Sequence, residues 1–171
     1  MKGQIEIFIV DDNKVFTLAL KGNIETVFDN KKIKIHSFES GEECIQKFDM
    51  KDPQVVIMDY HLDSKYPDAM DGIMILDWIK KQCSETCVIM LSNNEDIDVA
   101  VKAFRYGASD YIVKNETKFS KINYSLSNIF KVIEAKREAR RYKRLLFGLS
   151  LLILLLAGGV MYMQLFYHSL F

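Results

Sequence analysis

Asp11 and Asp12 follow the apolar run QIEIFIV, Asp59 ends VVIMD, Ser92 follows TCVIML and Lys114 ends DYIVK. Each group stands at the tip of a short β-branched segment, and groups so placed converge when such segments lie side by side. Three carboxylates in one place repel, and an unpaired buried ion is costly, so the set implies a bound cation or paired bases. Donors that are all oxygen point to Mg²⁺, which takes a few carboxylates and keeps several waters. With Lys114 adding positive charge, the set suits a transferring phosphoryl group, whose chemistry asks for positioning and charge neutralisation. Asp59 is the expected nucleophile, because an ionised carboxylate can attack phosphorus and form an aspartyl phosphate. Ser92 is expected to donate a hydrogen bond to one phosphoryl oxygen while Lys114 pairs with another. Capping would account for the aspartates alone, but not for Ser92 and Lys114 beside them.

The elements that must position these groups read from periodicity. QIEIFIV is a short apolar strand, and residues 13–28 form a helix with Val15, Leu18, Ile24 and Phe28 among the apolar positions of its stripe. KIKIHSF alternates as a second strand, and Ser40-Gly41-Glu42-Glu43 opens a second helix with capping chemistry. VVIMD is a third strand, entered through Pro53; the polar stretch HLDSKYPDAMDG is a loop, and IMILDWIKKQ is a third helix. TCVIML is a fourth strand, NNED opens a helix that Gly107 stops, and DYIVK is a fifth strand. From about Thr117 a long helical pattern runs, in which Phe119, Ile122, Leu126, Ile129 and Ile133 recur at helical spacing. Strands alternating with helices predict an α/β fold with a doubly wound five-stranded parallel sheet, and ligands bind such sheets outside the carboxyl ends of the strands. Met58, Met70 and Met74 read as core filling and His36 as a plain surface residue.

The pair Asp11-Asp12, Asp59 in VVIMDY, Ser92 in MLS and Lys114 in YIVK resemble the marks of response-regulator receiver domains over residues 1 to about 130. The resemblance implies a flavodoxin-like receiver fold in which Asp59 takes a phosphoryl group from a histidine kinase or phosphotransfer protein in two-component signalling. It implies Mg²⁺ on Asp11, Asp12, Asp59 and the main-chain carbonyl of His61, with Asp12 a main ligand. It also implies that Tyr111 is the aromatic switch, turning inward as Ser92 moves toward the phosphate, and that His61 and Asn94 flank the path of an attacking water. Beyond phosphorylating itself from a donor and slowly losing the phosphate, such a chain is not an enzyme. The sequence departs from the family in having Asn115 after Lys114, Asn93 after Ser92, and a longer loop reading His61-Leu62-Asp63 after Tyr60.

The charge is uneven. Residues 131–144 hold Lys131, Lys136, Arg137, Arg140, Arg141, Lys143 and Arg144 against Glu134 and Glu138, a net +5, and residues 145–171 hold no charge, which leaves residues 1–130 at −5. An acidic domain argues against nucleic acid as partner, because phosphate neutralisation needs clustered Lys and Arg. The uncharged 27 residues from Leu145 to Phe171 are long enough, at about 1.5 Å per residue, to cross a hydrocarbon core of roughly 30 Å. The basic block before them sets the orientation and offers contacts to anionic lipid. The expected layout is a receiver domain at 1–130, a basic juxtamembrane helical linker at 131–144 and a transmembrane helix at 145–167. Such a chain is anchored in the cytoplasmic membrane by its C-terminal end, with the receiver in the cytoplasm. The apolar run Ile5 to Val10 is broken by Glu6 and too short for a secretion signal. Cys44, Cys83 and Cys87 form neither a disulfide framework nor a zinc pattern. A homodimer is left open, since the apolar stripe fades beyond Ile133 and the span lacks G-x-x-x-G. The rival reading is a binding module that carries no phosphate and docks a partner, as yet unnamed, at the membrane through its acidic face.

Overall fold

The structure is a computed structural model that describes residues 3–62, 70–93 and 95–170, with the side chains of 152, 153, 156, 157 and 160–170 outside the description. Five strands and five helices alternate: β1 Ile5–Val10, α1 Lys14–Val27, β2 Ile33–Phe38, α2 Gly41–Lys51, β3 Val55–Asp59, α3 Gly72–Gln82, β4 Cys87–Ser92, α4 Ile97–Arg105, β5 Asp110–Val113 and α5 Lys118–Leu170. The sheet is parallel throughout, in the order β2-β1-β3-β4-β5. The chain therefore builds outward from β1 to β2, then crosses back to β3 on the other side. That reversal leaves a crevice between the tips of β1 and β3, the place where open α/β sheets take ligands.

Burial explains the strand sequences. Ile7 to Val10 of β1 and Val55 to Met58 of β3 are fully buried, so their runs are apolar without alternation, as expected for strands covered on both faces. The helices start where side chains satisfy their first amides. Asn13 Oδ1 accepts from Phe16 N, Ser40 Oγ from Glu43 N, Asp71 Oδ1 from Met74 N, and Asp96 Oδ1 from Asp98 N and Val99 N. Gly107 ends α4 with a φ of 94°, a conformation that costs glycine little.

Some expectations are corrected. Of the stripe predicted for α1, Ile24 and Phe28 are buried but Val15 and Leu18 are exposed; the buried face runs through Thr17, Leu20 and Ile24 and is rotated from the predicted one over the first turns. Met74 is exposed rather than core filling, although Met58 is buried. His36 is half-buried: its Nε2 lies 2.8 Å from Glu6 Oε2 and its ring meets Phe8 edge-on. The three cysteines are free, and burial pushes the Cys44 thiol up to about 12.

Contacts divide the chain into two compact units, residues 1–127 and 128–171. In the first, Ile122 and Leu126 of α5 are buried, as the spacing predicted. In the second, the helix continues without a break to Leu170, so the segments expected as linker and span belong to one helix. Among the described residues no helix is long and apolar enough to cross a membrane. The structure thus lends the expected span at 145–167 no support, and many of the side chains in that stretch lie outside the description.

Candidate functional site

Each group of the site is the continuation of a strand. Asp11 N donates to Phe38 O at 3.1 Å, carrying the β1–β2 ladder one residue past β1. This places the Asp11 carboxylate in the crevice, nearly inaccessible to solvent. Asp11 Oδ1 accepts from Asn13 N at 3.0 Å, and Asp11 O accepts from the Thr17 hydroxyl at 3.4 Å. Asp59 is the last residue of β3; it is equally buried, and its Oδ1 accepts from His61 N at 3.2 Å.

Lys114 is the first residue beyond β5. Its main-chain N donates to Ser92 O at 2.7 Å, locking the exit of β5 to the tip of β4. Its ammonium reaches back across the crevice and donates to Asp11 Oδ2 at 2.7 Å and Asp59 Oδ2 at 2.5 Å. Asp11, Asp12 and Asp59 each offer a carboxylate oxygen, and these oxygens lie within 4.8 Å of one another.

Burial pushes the Asp59 carboxyl above its usual range, an effect that the hydrogen bond and charge of Lys114 reduce and the charge of Asp11 reinforces. Burial alone would lower the Lys114 pKa, but its hydrogen bonds to Asp11 and Asp59, with their charges, hold it above the ordinary value. Three ionised carboxylates and one ammonium leave the cluster two negative charges in excess. An oxygen-only set with that excess fits a hard dication such as Mg²⁺.

The structure therefore brings Asp11, Asp12, Asp59 and Lys114 together as the sequence predicted. Ser92, buried at the end of β4, joins them through its main chain. His61, expected to lend its carbonyl, here lends its amide to Asp59, and its ring meets Tyr60 edge-on. Tyr111 pairs with Met90 in the sheet and is half-buried against the core. The Lys114–Asn115 bond is not cis, and Asn115 N donates to Val113 O at 2.8 Å, a bond that proline in that place could not make. Asn94 and Asp63 lie outside the described residues.

Sequence reasoning did not reach Gly72. A Cβ there would lie 2.8 Å from Asp59 O and 2.9 Å from Tyr60 Cα, which are main-chain atoms with no rotamer to yield. Gly72 N also donates to Tyr60 O at 3.3 Å. The start of α3 thus rests directly on the backbone that carries Asp59. The signal available in the sequence was a glycine at the boundary of loop and helix, which was read only as a mark of the loop.

A parallel sheet whose strand tips gather three acids and a lysine at one crevice defines an α/β protein with an acidic pocket of a kind that suits a cation. The family model for the response regulator receiver domain matches residues 7–123, and this chain belongs to that family. Receivers of this family bind Mg²⁺ at such an acidic pocket and serve as phosphoacceptors for histidine kinases or phosphotransfer proteins. Among similar proteins, the DNA-binding transcriptional regulator NtrC of Klebsiella pneumoniae is 30% identical over 107 residues, covering 63% of this chain and 21% of that protein. The regulatory protein AtoC of Escherichia coli K12 is 27% identical over 134 residues, covering 78% of this chain and 27% of that protein. The crystal structure of the receiver domain of NtrX from Brucella abortus superposes with a TM-score of 0.64 at 26% identity, covering 73% of this chain and 98% of that one. The chain thus matches about a quarter or less of the length of these two regulators.

Proposed function

We propose that this chain is a membrane-tethered receiver that accepts a phosphoryl group on Asp59 from a histidine kinase, with Mg²⁺, and signals by a change of conformation. The observation that carries this reading is the Lys114 ammonium bridging Asp11 and Asp59 at 2.7 and 2.5 Å beside a third acid. A carboxylate oxygen of Asp59 attacks phosphorus, a P–O bond forms as the donor's P–N bond breaks, and the departing imidazole takes up a proton from solvent. Lys114, already 2.5 Å from Asp59 Oδ2, is within reach of the phosphoryl oxygens so formed. A bound Mg²⁺, held by Asp11, Asp12, Asp59 and the His61 carbonyl, would neutralise charge on the phosphoryl group. Ser92 donates to a phosphoryl oxygen, and Tyr111 turns inward in response. The cognate phosphotransfer partner and the downstream protein are reached from the cytoplasm.

Incubation with acetyl phosphate and Mg²⁺ tests the acceptor role. The expected result is a mass gain at Asp59 that survives acid, is removed by hydroxylamine and is absent with EDTA. No such gain would leave the chain a docking module that never carries phosphate.

The tether is supported by the uncharged residues 145–171 that follow the basic residues 131–144. Residues 1–130 form the receiver in this reading, 131–144 a juxtamembrane linker on anionic lipid, and 145–167 the span. Alkaline carbonate extraction of membranes is expected to leave the full chain in the pellet and to release a chain truncated after Arg144. Release of the full chain by carbonate would remove the tether from the proposal.

A further inference from the structure

The Lys114 side chain, only 11% exposed, meets the two carboxylates on one side and an aromatic ring on another. Its Nζ stands over Phe16, 4.9 Å from the ring centroid. An ammonium within about 6 Å of a ring centroid is drawn to the negative face of the ring, and more strongly when water is kept away. Phe16 is itself held in place. Its ring stacks on Phe119, with centroids 5.9 Å apart and planes inclined by 16°. Its main-chain N donates to Asn13 Oδ1 at 3.0 Å, and Asn13 N donates in turn to Asp11 Oδ1 at 3.0 Å. The contacts therefore close a circuit: Asp11 to Asn13, Asn13 to Phe16, Phe16 to Lys114, and Lys114 back to Asp11. One carboxylate anchors both the cap that starts α1 and the cation that crosses the site.

We infer that Phe16 is a positioning residue for Lys114, its ring face holding the ammonium at the acid pair so that a phosphoryl group arriving on Asp59 meets a cation already in place. The inference rests on the phosphoryl-acceptor reading and adds to it a group outside the acidic cluster. A lysine has a long, flexible stem, and without a surface on this flank its head samples rotamers that point to solvent. The ring removes those rotamers while leaving the ammonium free to exchange a carboxylate oxygen for a phosphoryl oxygen. Leucine would fill much of the same space but has no π face, whereas tyrosine keeps the face and adds only a hydroxyl.

The test uses the full chain in detergent micelles with ¹³C at the lysine ε-carbons. In the wild type the Lys114 ε-methylene protons are expected upfield, shielded by the Phe16 ring, and Phe16→Leu is expected to move them to the unshifted position while Phe16→Tyr keeps them. With acetyl phosphate and saturating Mg²⁺, the initial rate of phosphorylation is expected to fall about three- to tenfold in Phe16→Leu and to stay within about twofold in Phe16→Tyr. Equal rates for Phe16→Leu and wild type would overturn the inference, and so would a Phe16→Tyr rate as low as that of Phe16→Leu. If the wild type itself takes no phosphate, the acceptor reading fails instead. The ε-methylene shift then decides the placement of the ammonium on its own, and unshifted protons overturn it.

Discussion

Asp59→Asn is expected to reduce phosphoryl uptake from acetyl phosphate to background while raising the unfolding midpoint of the metal-free protein by about 2 to 4 °C. The first effect follows from removing the nucleophilic oxygen. The second follows from burial. The folded protein holds the Asp59 carboxyl above its ordinary pKa because burial disfavours the ion more than Lys114 favours it. A carboxyl raised in this way contributes stability that is whole below its unfolded pKa, near 3.8, and is lost as the pH climbs through the folded value. Above that folded value the contribution is gone, and an uncharged amide of the same shape avoids the cost of the buried ion. Lys114 keeps Asp11 as its partner in the variant. The rise in midpoint that Mg²⁺ gives the wild type should shrink, because one of the three carboxylates is missing. Mass spectrometry reads the first effect and thermal unfolding with EDTA or Mg²⁺ the second; a lowered midpoint would mean that the Lys114–Asp59 pair is net stabilising.

Lys114→Met is expected to have the opposite effect on stability, costing about 3 to 5 kcal/mol at pH 7 without metal. Methionine preserves much of the stem but leaves Asp11 and Asp59 buried and facing each other with no cation between them. Breaking a buried ion network by removing one sign is far costlier than replacing the whole of it. Two interventions should recover the loss. Mg²⁺ supplies the missing charge, and acid protonates one of the pair, so the deficit narrows as the pH falls toward the carboxylate range. The wild type behaves differently at the other end of the scale. Lys114 has a raised pKa, so its contribution is whole below 10.5 and is lost as the pH rises through the folded value. Urea unfolding across pH, with EDTA or Mg²⁺, separates these cases, and a Lys114→Met deficit that ignores both pH and Mg²⁺ would show that the lost packing matters more than the lost charge.

The acids and the lysine were legible in the sequence because their placement depends on features that are local. Each follows an apolar run of strand length, and parallel strands put such tips on one edge. What was not legible depends on distances between elements. The rotation of α1 illustrates this: Val15 and Leu18 are as apolar as Leu20 and Ile24, and only the docking of the helix decides that the first two face solvent. Phe16 was passed over for the same reason, since its position over Lys114 depends on residues 98 apart in the chain meeting in space. Asn13 was within reach, because an Asn before a helical run is a common cap. The last helix was read in three parts, each of them helical, because composition changes along it from amphipathic to basic to apolar. A helix, however, is ended by backbone chemistry, and no proline occurs after Thr117.

The bond from Gly72 N to Tyr60 O joins the start of α3 to the main chain directly after Asp59. A Cβ at Gly72 would meet that same main chain within 3.0 Å, so no side chain stands between the two. A displacement of the start of α3 therefore reaches the backbone that carries Asp59 with no rotamer to absorb it, and this end of the helix works as a lever rather than a cushion.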